Sequence, residues 1–258
     1  MAATIAVLFL VAVAAIGYSY VWTTTAKPLE LNRSTLCPLD GPASTLVVLL
    51  DASDDFPDVA RQEVELTLNE MASSVPTHGL VELRTLTAGA PYQRILFSKC
   101  NPGDGKGLSE YTANPKMARQ KWEKEFSDPL KDALRGGLAP APGEASPIMS
   151  AIQRISLERF MSSSTASTPK SLVLVSDMIE FTPAYSQYTN DLTYDRFRRS
   201  PAYRSVRTDL KQAEVTIFYV QRQTRNPINP AAHIKFWQEW IIDNGGVFHR
   251  AKTLQGVR

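Results

Sequence analysis

Residues 45–55 read TLVVLLDASDD, an unbroken apolar run that ends in aspartate. A short run of this kind, rich in branched apolar residues, is typical of a strand that is buried on both faces of a parallel sheet. Residues 171–175 (SLVLV) form a second apolar run, which is followed by Ser176 and Asp177. Residues 214–220 (EVTIFYV) form a third. These runs predict the central strands of an α/β domain.

The segments between the runs are helical in pattern. Apolar residues recur three or four positions apart in residues 57–74, 115–135, 146–155 and 230–241, while residues 79–87 alternate and residues 94–97 form a predicted hairpin partner. We therefore predict a doubly wound, mostly parallel sheet with helices on both faces, occupying residues 44–258. On the last helix, Trp237 is expected in the core and Trp240 partly buried, while His233 is expected to be a surface or capping residue.

The N-terminal segment differs from the rest of the chain. Residues 2–22 are almost wholly apolar and uncharged, with Tyr18, Tyr20 and Trp22 at one end. About 20 such residues span a bilayer as a helix, and aromatic rings favour the interface. We predict a single transmembrane anchor here, with a cleaved signal peptide as the alternative. Residues 23–43, which contain three prolines, are predicted to be a linker.

Composition and cysteine count exclude some classes of protein. The net charge of +2 gives no reason to expect a nucleic-acid partner, and two cysteines are too few for a zinc framework. Cys37 and Cys100 are either free thiols or one disulfide, which would need an oxidising compartment. Lys27 and Arg33 favour a cytoplasmic domain by charge. The disulfide alternative and the low charge of the anchor favour a periplasmic or other extracytoplasmic domain, which is our expectation.

Oxygen-bearing side chains follow the predicted strands. Asp51 and Asp177 end two of them, Ser53 lies in the turn after the first, and Ser146 opens a predicted helix. Ligands of open α/β sheets bind beyond the carboxyl ends of the strands. Two carboxylates and two hydroxyls would suit magnesium, manganese or calcium. Taken singly, each residue is also an ordinary helix cap, so only their combination favours a metal site.

These stretches resemble the von Willebrand factor A family, in its bacterial membrane-anchored type, from about residue 44 to residue 250. The family's Asp-x-Ser-x-Ser motif is similar to residues 51–55 (DASDD), its helix-opening threonine to Ser146, and its later aspartate to Asp177. Asp55 stands where the second serine is expected, and Ser146 stands for threonine. The first departure adds a carboxylate or alters the geometry of the site; the second keeps a hydroxyl.

The resemblance implies a function without catalysis. A divalent cation, Mg²⁺ first and Mn²⁺ or Ca²⁺ as alternatives, would be held by Asp51, Ser53, Asp55, Ser146 and Asp177. An Asp or Glu of a partner protein would complete its coordination during assembly of a complex in the bacterial envelope. One alternative is a metal-independent scaffold of the same fold. Another is a metal-dependent phosphoester hydrolase with Asp51 as nucleophile, although Ser53 occupies the position where that type needs a second aspartate.

Residues 178–207, which follow Asp177, are rich in aromatic and basic side chains. Tyrosine and arginine are favoured at the centres of protein interfaces. We expect a partner-binding surface that includes Tyr185, Tyr188, Arg196, Arg198 and Arg199, with a solvated basic helix and core aromatics as the alternative. The local charge and the predicted anchor argue against nucleic acid as the partner.

Overall fold

The computed structural model describes residues 2–25, 29–53, 58–109, 114–139, 143–189, 191–221 and 228–254. The chain forms two compact units, which divide between Leu31 and Asn32. The first contains helix α1 (Ala2–Thr25). Within the described residues, no helix combines the length and apolar character that crossing a membrane requires. The transmembrane anchor expected at residues 2–22 is therefore not supported by this structure and stays a prediction.

The second unit is built on six strands and seven helices in its described residues. The strands are β1 (Thr45–Leu50), β2 (Leu80–Leu86), β3 (Gln93–Cys100), β4 (Lys170–Ser176), β5 (Glu214–Val220) and β6 (Val247–Leu254). The helices are α2 (Asp58–Ser74), α3 (Pro115–Trp122), α4 (Asp128–Gly137), α5 (Ile148–Ile155), α6 (Tyr194–Arg198), α7 (Pro201–Val206) and α8 (Pro230–Asp243). One π-helical turn, Glu123–Ser127, joins α3 to α4, and another, Ser156–Phe160, extends α5.

The strands form one sheet in the order β3-β2-β1-β4-β5-β6. All neighbours are parallel except β2 and β3, which pair as an antiparallel hairpin. The predicted mostly parallel, doubly wound sheet is thus confirmed. The sequence pattern of Val247 and Phe248 predicts only a short final edge strand, but β6 continues to Leu254 through His249, Arg250 and Lys252. As an edge strand it exposes most of these side chains, so it lacks the apolar signature of a buried strand.

Apolar side chains cover both faces of the sheet. Val47 and Leu49 of β1 face a core built with α5, α7 and α8, while Leu46, Val48 and Leu50 face α2 and α4. Both faces of β1 are therefore covered, which explains why its sequence is apolar without alternation. The carboxyl ends of β1 and β4 stop side by side and lead into polar residues.

Candidate functional site

Asp51 is the centre of the polar cluster at the end of the sheet. Asp51 is buried, with only 1% of its surface exposed. The Oδ2 atom accepts hydrogen bonds from the hydroxyls of Ser176 at 2.8 Å and Ser146 at 3.2 Å, and Oδ1 accepts one from the Ser53 amide at 3.1 Å. Leu50 pairs in register with Val175, so the parallel strands deliver Asp51 and Ser176 to adjacent positions. Topology alone thus places these two residues together.

Ser146 can donate a hydrogen bond to Asp51 because its hydroxyl does not cap helix α5. The helix begins at Ile148 after Pro147, and the carboxylate of Glu180 accepts the Met149 amide at 2.9 Å. Ser146 instead forms an antiparallel bridge with Phe181, with backbone N···O distances of 2.8 and 3.0 Å. The capping role considered for Ser146 is therefore wrong in this structure: Glu180 accepts the helix amide, and the serine hydroxyl donates to Asp51.

Asp177 brings a second buried carboxylate to the cluster. Its Oδ1 accepts the Ile179 amide at 2.9 Å, which fixes the turn after β4. Burial first, and then the negative charge of Asp51, raise the pKa of Asp177 to about 7. Two carboxyl groups that repel each other away from water disfavour double ionisation, so a positive charge nearby would stabilise this pair.

The donor set suits a hard cation. A cavity of about 210 Å³ opens beside the cluster and is lined by Asp51 and Ser53, by residues 86–88 after β2, and by Gly143 and Ala145. Carboxylate and hydroxyl oxygens are ligands that magnesium, manganese and calcium accept. The described part of the chain contains no group of three or more His, Cys, Asp or Glu side chains arranged to hold a metal. Asp55, the fifth predicted ligand, lies outside the described residues.

Comparison with known proteins finds only distant structural similarity. No protein-family model matches the chain, and no curated protein matches its sequence. Similar solved structures are von Willebrand factor A-type proteins.

Three of these neighbours illustrate how distant the similarity is. The conserved hypothetical protein BatB from Bacteroides thetaiotaomicron is 10% identical, with a TM-score of 0.44, over 81% of this chain and 91% of that one. A von Willebrand factor type A protein from Catenulispora acidiphila is 15% identical, with a TM-score of 0.41, over 82% and 39%. An aerotolerance-related membrane protein from Bacteroides fragilis is 10% identical, with a TM-score of 0.37, over 80% and 90%.

Several aromatic side chains of residues 178–207 pack against the domain, while the arginines of the segment are exposed. Tyr185 stacks near Phe197 with ring centroids 4.3 Å apart, and Arg196 pairs with Asp191 at 2.5 Å. Asp243 of α8 accepts a hydrogen bond from the hydroxyl of Tyr194 at 2.9 Å and forms an ion pair with Arg198 at 3.2 Å. Of the five residues predicted to bind a partner, Tyr185 is half-buried, while Arg196, Arg198 and Arg199 are exposed, the first two with ion pairs to aspartates.

Tyr188 remains a surface residue near the carboxylates. It is 52% exposed and packs edge to face against Phe181, which is 42% exposed, with ring centroids 5.5 Å apart. Partial burial, then the charges of Asp177 and Asp51, raise the pKa of Tyr188. An exposed aromatic pair therefore borders the carboxylate cluster.

Sequence reasoning missed a buried polar network behind the site. His233, expected at the surface, is fully buried, as is Trp240. The Nε2 and Nδ1 atoms of His233 lie 3.0 Å from Gln187 Oε1 and from the Tyr219 hydroxyl, respectively. Burial lowers the pKa of His233 to about 4, so the imidazole is neutral at pH 7. One signal was available: His233 lies four residues before Trp237, on the apolar face of the helix.

The network supports the turn that carries Asp177. Gln187 Oε1 also accepts the Glu180 amide at 2.8 Å, and the Trp237 indole donates to the Met178 carbonyl at 2.8 Å. Residues 178–180 are therefore fixed by hydrogen bonds with Trp237 of α8 and with Gln187. This fixes both the position of Asp177 and that of Glu180 at the start of α5.

A second buried cluster is ionic and lies away from the site. Glu82 and Arg84 of β2 are both fully buried and form an ion pair. Glu82 also accepts two-pronged hydrogen bonds from Arg159, and Arg84 pairs with Glu158 at 2.7 Å. The alternation in residues 79–87 predicted the strand, and the π-helical extension of α5 covers its charged residues. The cluster connects β2 to that helix and contains no cavity-lining residue of the site.

The two cysteines form a disulfide. Cys37 and Cys100 are joined with an S–S distance of 2.07 Å and a Cα–Cα distance of 4.8 Å. The bond ties the segment before β1 to the end of β3. Of the two alternatives for these residues, the structure contains the disulfide.

Proposed function

We propose that the chain is a membrane-anchored, non-enzymatic protein-binding module whose Asp51 site takes a divalent cation and, through it, an acidic side chain of a partner. One observation carries the proposal: Asp51 and Asp177 are buried together at adjacent strand ends, and two serine hydroxyls converge on the first. Buried like charges are costly unless a counter-charge is present. A cation between them would offset that cost.

The residues that would hold the cation are Asp51, Ser53, Ser146 and Asp177, with Mg²⁺ as the first candidate and Mn²⁺ or Ca²⁺ as alternatives. Asp55 is proposed as a further ligand from the sequence alone. When bound, the ion supplies a positive charge that attracts a carboxylate strongly in a partly desolvated site. The cavity beside Asp51 and Ser53 leaves room for that carboxylate.

The proposed location is the outer side of a bacterial membrane. The disulfide supports an oxidising compartment, because cytosolic thiols are normally kept reduced. Residues 2–22 are proposed as the single membrane anchor on the strength of their apolar sequence. Together these features favour a tethered domain that meets its partner in the cell envelope.

Thermal unfolding of the full chain in detergent tests the cation site. The chain is measured with chelator and then with millimolar Mg²⁺, Mn²⁺ or Ca²⁺, beside Asp51→Ala and Asp177→Ala. A ligand at about 100 times its Kd stabilises the folded state by about 2.7 kcal/mol, so the midpoint rises by several degrees. Asp132→Ala is the matched control, since this aspartate on α4 is exposed. The rise is expected in wild type and Asp132→Ala only. A well-folded chain that no cation stabilises contradicts the proposal.

A metal-independent scaffold is the second candidate. Asp51 Oδ2 already accepts two hydroxyl hydrogen bonds, and the described residues include no cluster of three or more potential metal-binding His, Cys, Asp or Glu side chains. The serines can therefore satisfy Asp51 without a cation. Partner binding that is equal in chelator and in magnesium would favour the scaffold.

A further inference from the structure

A larger cavity adjoins the carboxylate site. Its volume is about 550 Å³, and it shares two lining residues, Ala88 and Ala145, with the smaller cavity beside Asp51. The two cavities are therefore adjacent. A volume of this size lies in the range of sites that enclose a ligand group.

The larger cavity is apolar in character. Its walls include Pro147, Pro183, Tyr185, Phe197 and Val206. Glu180 is also among the lining residues, but it is buried, and its carboxyl group accepts the Met149 amide. Burial raises the pKa of Glu180 to about 8, so it is mainly neutral at pH 7. An apolar occupant would meet no full charge there.

The surface around the two cavities has the chemistry of a protein interface. Phe181, between the cavity residues Glu180 and Thr182, packs against the exposed Tyr188, whose hydroxyl lies within the electrostatic influence of Asp51 and Asp177. An exposed aromatic pair beside a pocket is typical of protein-binding hot spots. The aromatic pair, the carboxylate site and the apolar cavity thus lie next to one another.

We propose that the 550 Å³ cavity takes a large apolar side chain, such as that of Leu or Phe, from the same partner segment whose Asp or Glu reaches the Asp51 site. This inference rests on the proposed function and adds a sequence requirement to it: an acidic residue and an apolar residue close together in an extended segment. Residues of an extended chain advance about 3.3 Å each, so neighbouring or near-neighbouring positions reach both cavities.

Short synthetic peptides test the pocket. The series consists of acetylated, amidated glycine-rich peptides with one Asp, and Leu, Phe or Gly placed one, two or three positions to either side; Asn replaces Asp in a parallel set. Binding to the full chain in detergent is measured by titration calorimetry, with magnesium and with chelator. Ala184→Trp and Ser205→Trp fill the cavity from its exposed rim. Ser73→Trp, at an exposed position on α2 and outside the cavity, is the matched control.

The expected result is a magnesium-dependent preference. The best Leu or Phe peptide binds roughly ten- to a hundred-fold more tightly than its Gly counterpart, which is the effect of burying one large apolar side chain. Both cavity variants lose that preference, Ser73→Trp keeps it, and all three keep the magnesium-dependent rise in unfolding temperature.

Several results would overturn the inference, and the unfolding temperature separates them from failure of the cation site. If magnesium stabilises the chain but Leu and Gly peptides bind equally, or no Asp peptide binds, the pocket is not a subsite. Dodecanoate that binds in chelator, and is excluded by Ala184→Trp, would assign the cavity to a lipid-like ligand instead. If no cation stabilises the chain, the proposed function itself fails and this inference falls with it.

Discussion

The substitution Asp177→Asn should stabilise the protein at alkaline pH when no cation is present. Asn keeps the oxygen that accepts the Ile179 amide, but it removes the charge that faces Asp51. The pKa of Asp177 rises from its ordinary 3.8 to about 7 in the folded chain. Between these pH values the folded state binds more protons than the unfolded state, so stability falls as pH rises through this window.

The magnitude follows from the two pKa values. A difference of about three pH units, at about 1.4 kcal/mol per unit, corresponds to about 4 kcal/mol of stability lost by pH 8. Part of this shift belongs to the Asp51–Asp177 pair rather than to Asp177 alone. We therefore expect Asp177→Asn to be more stable than wild type by about 2–4 kcal/mol at pH 8, and nearly equal to it at pH 4.

The assay is thermal unfolding of wild type and Asp177→Asn in chelator at several pH values. For a domain of this size the expected difference corresponds to roughly 5–15 °C in Tm at pH 8. Glu180 and His233 also titrate, but they are common to both proteins and cancel in the comparison. A difference between the two proteins that does not change from pH 4 to pH 8 would refute the reasoning, because the charge on Asp177 would then cost nothing.

Three further predictions concern the rest of the domain. Reduction of the Cys37–Cys100 disulfide, which closes a loop with a sequence separation of 63 residues, should lower stability by about 4 kcal/mol; an unchanged Tm after reduction would show that the loop is constrained without it. Glu82→Gln removes the charge of the buried carboxylate that pairs with Arg84 and Arg159, and it should cost about 3–5 kcal/mol in denaturant unfolding. Glu158→Gln, a partly exposed member of the same cluster, should cost clearly less, and equal effects would contradict this account. NMR titration should find His233 neutral until the pH approaches about 4. Because its folded pKa is below the ordinary 6.5, it costs stability as pH falls through that window, and titration near 6.5 would show that the ring is open to water.

The strands were predictable from sequence, and so was the position of Asp51 and Asp177 at the same edge of the sheet. Strands buried on both faces leave apolar runs that are easy to recognise, and parallel strands end at a common edge. An aspartate directly after such a run must therefore lie at that edge. Ser146 could be placed near the same point. Its hydrogen-bond partner could not be predicted, because a serine hydroxyl can either cap a helix or donate to a carboxylate.

The residues that support the site were not predictable in the same way. Gln187 contacts both Glu180 and His233, the second of which lies 46 residues away in sequence, and these contacts depend on how α8 packs. The same applies to residues 178–207, whose composition left open a partner-binding surface or a solvated basic helix with core aromatics. Asp243 of α8 accepts a hydrogen bond from Tyr194 and so attaches that part of the segment to α8. The two residues are far apart in sequence, and no local pattern encodes their contact.

These supporting contacts explain why Asp51 can keep two serine hydroxyls. Helix α5 needs an acceptor for its first amides, and Ser146 would be the nearest supply in sequence. Because Glu180 accepts the Met149 amide, Ser146 is released to Asp51. Glu180 in turn is held at that position by Gln187, which His233 contacts from α8. A substitution at His233, which does not contact Asp51 directly, should therefore alter the carboxylate cluster. It would move Glu180, which accepts the amide at the start of α5, and with it the loop that carries Ser146.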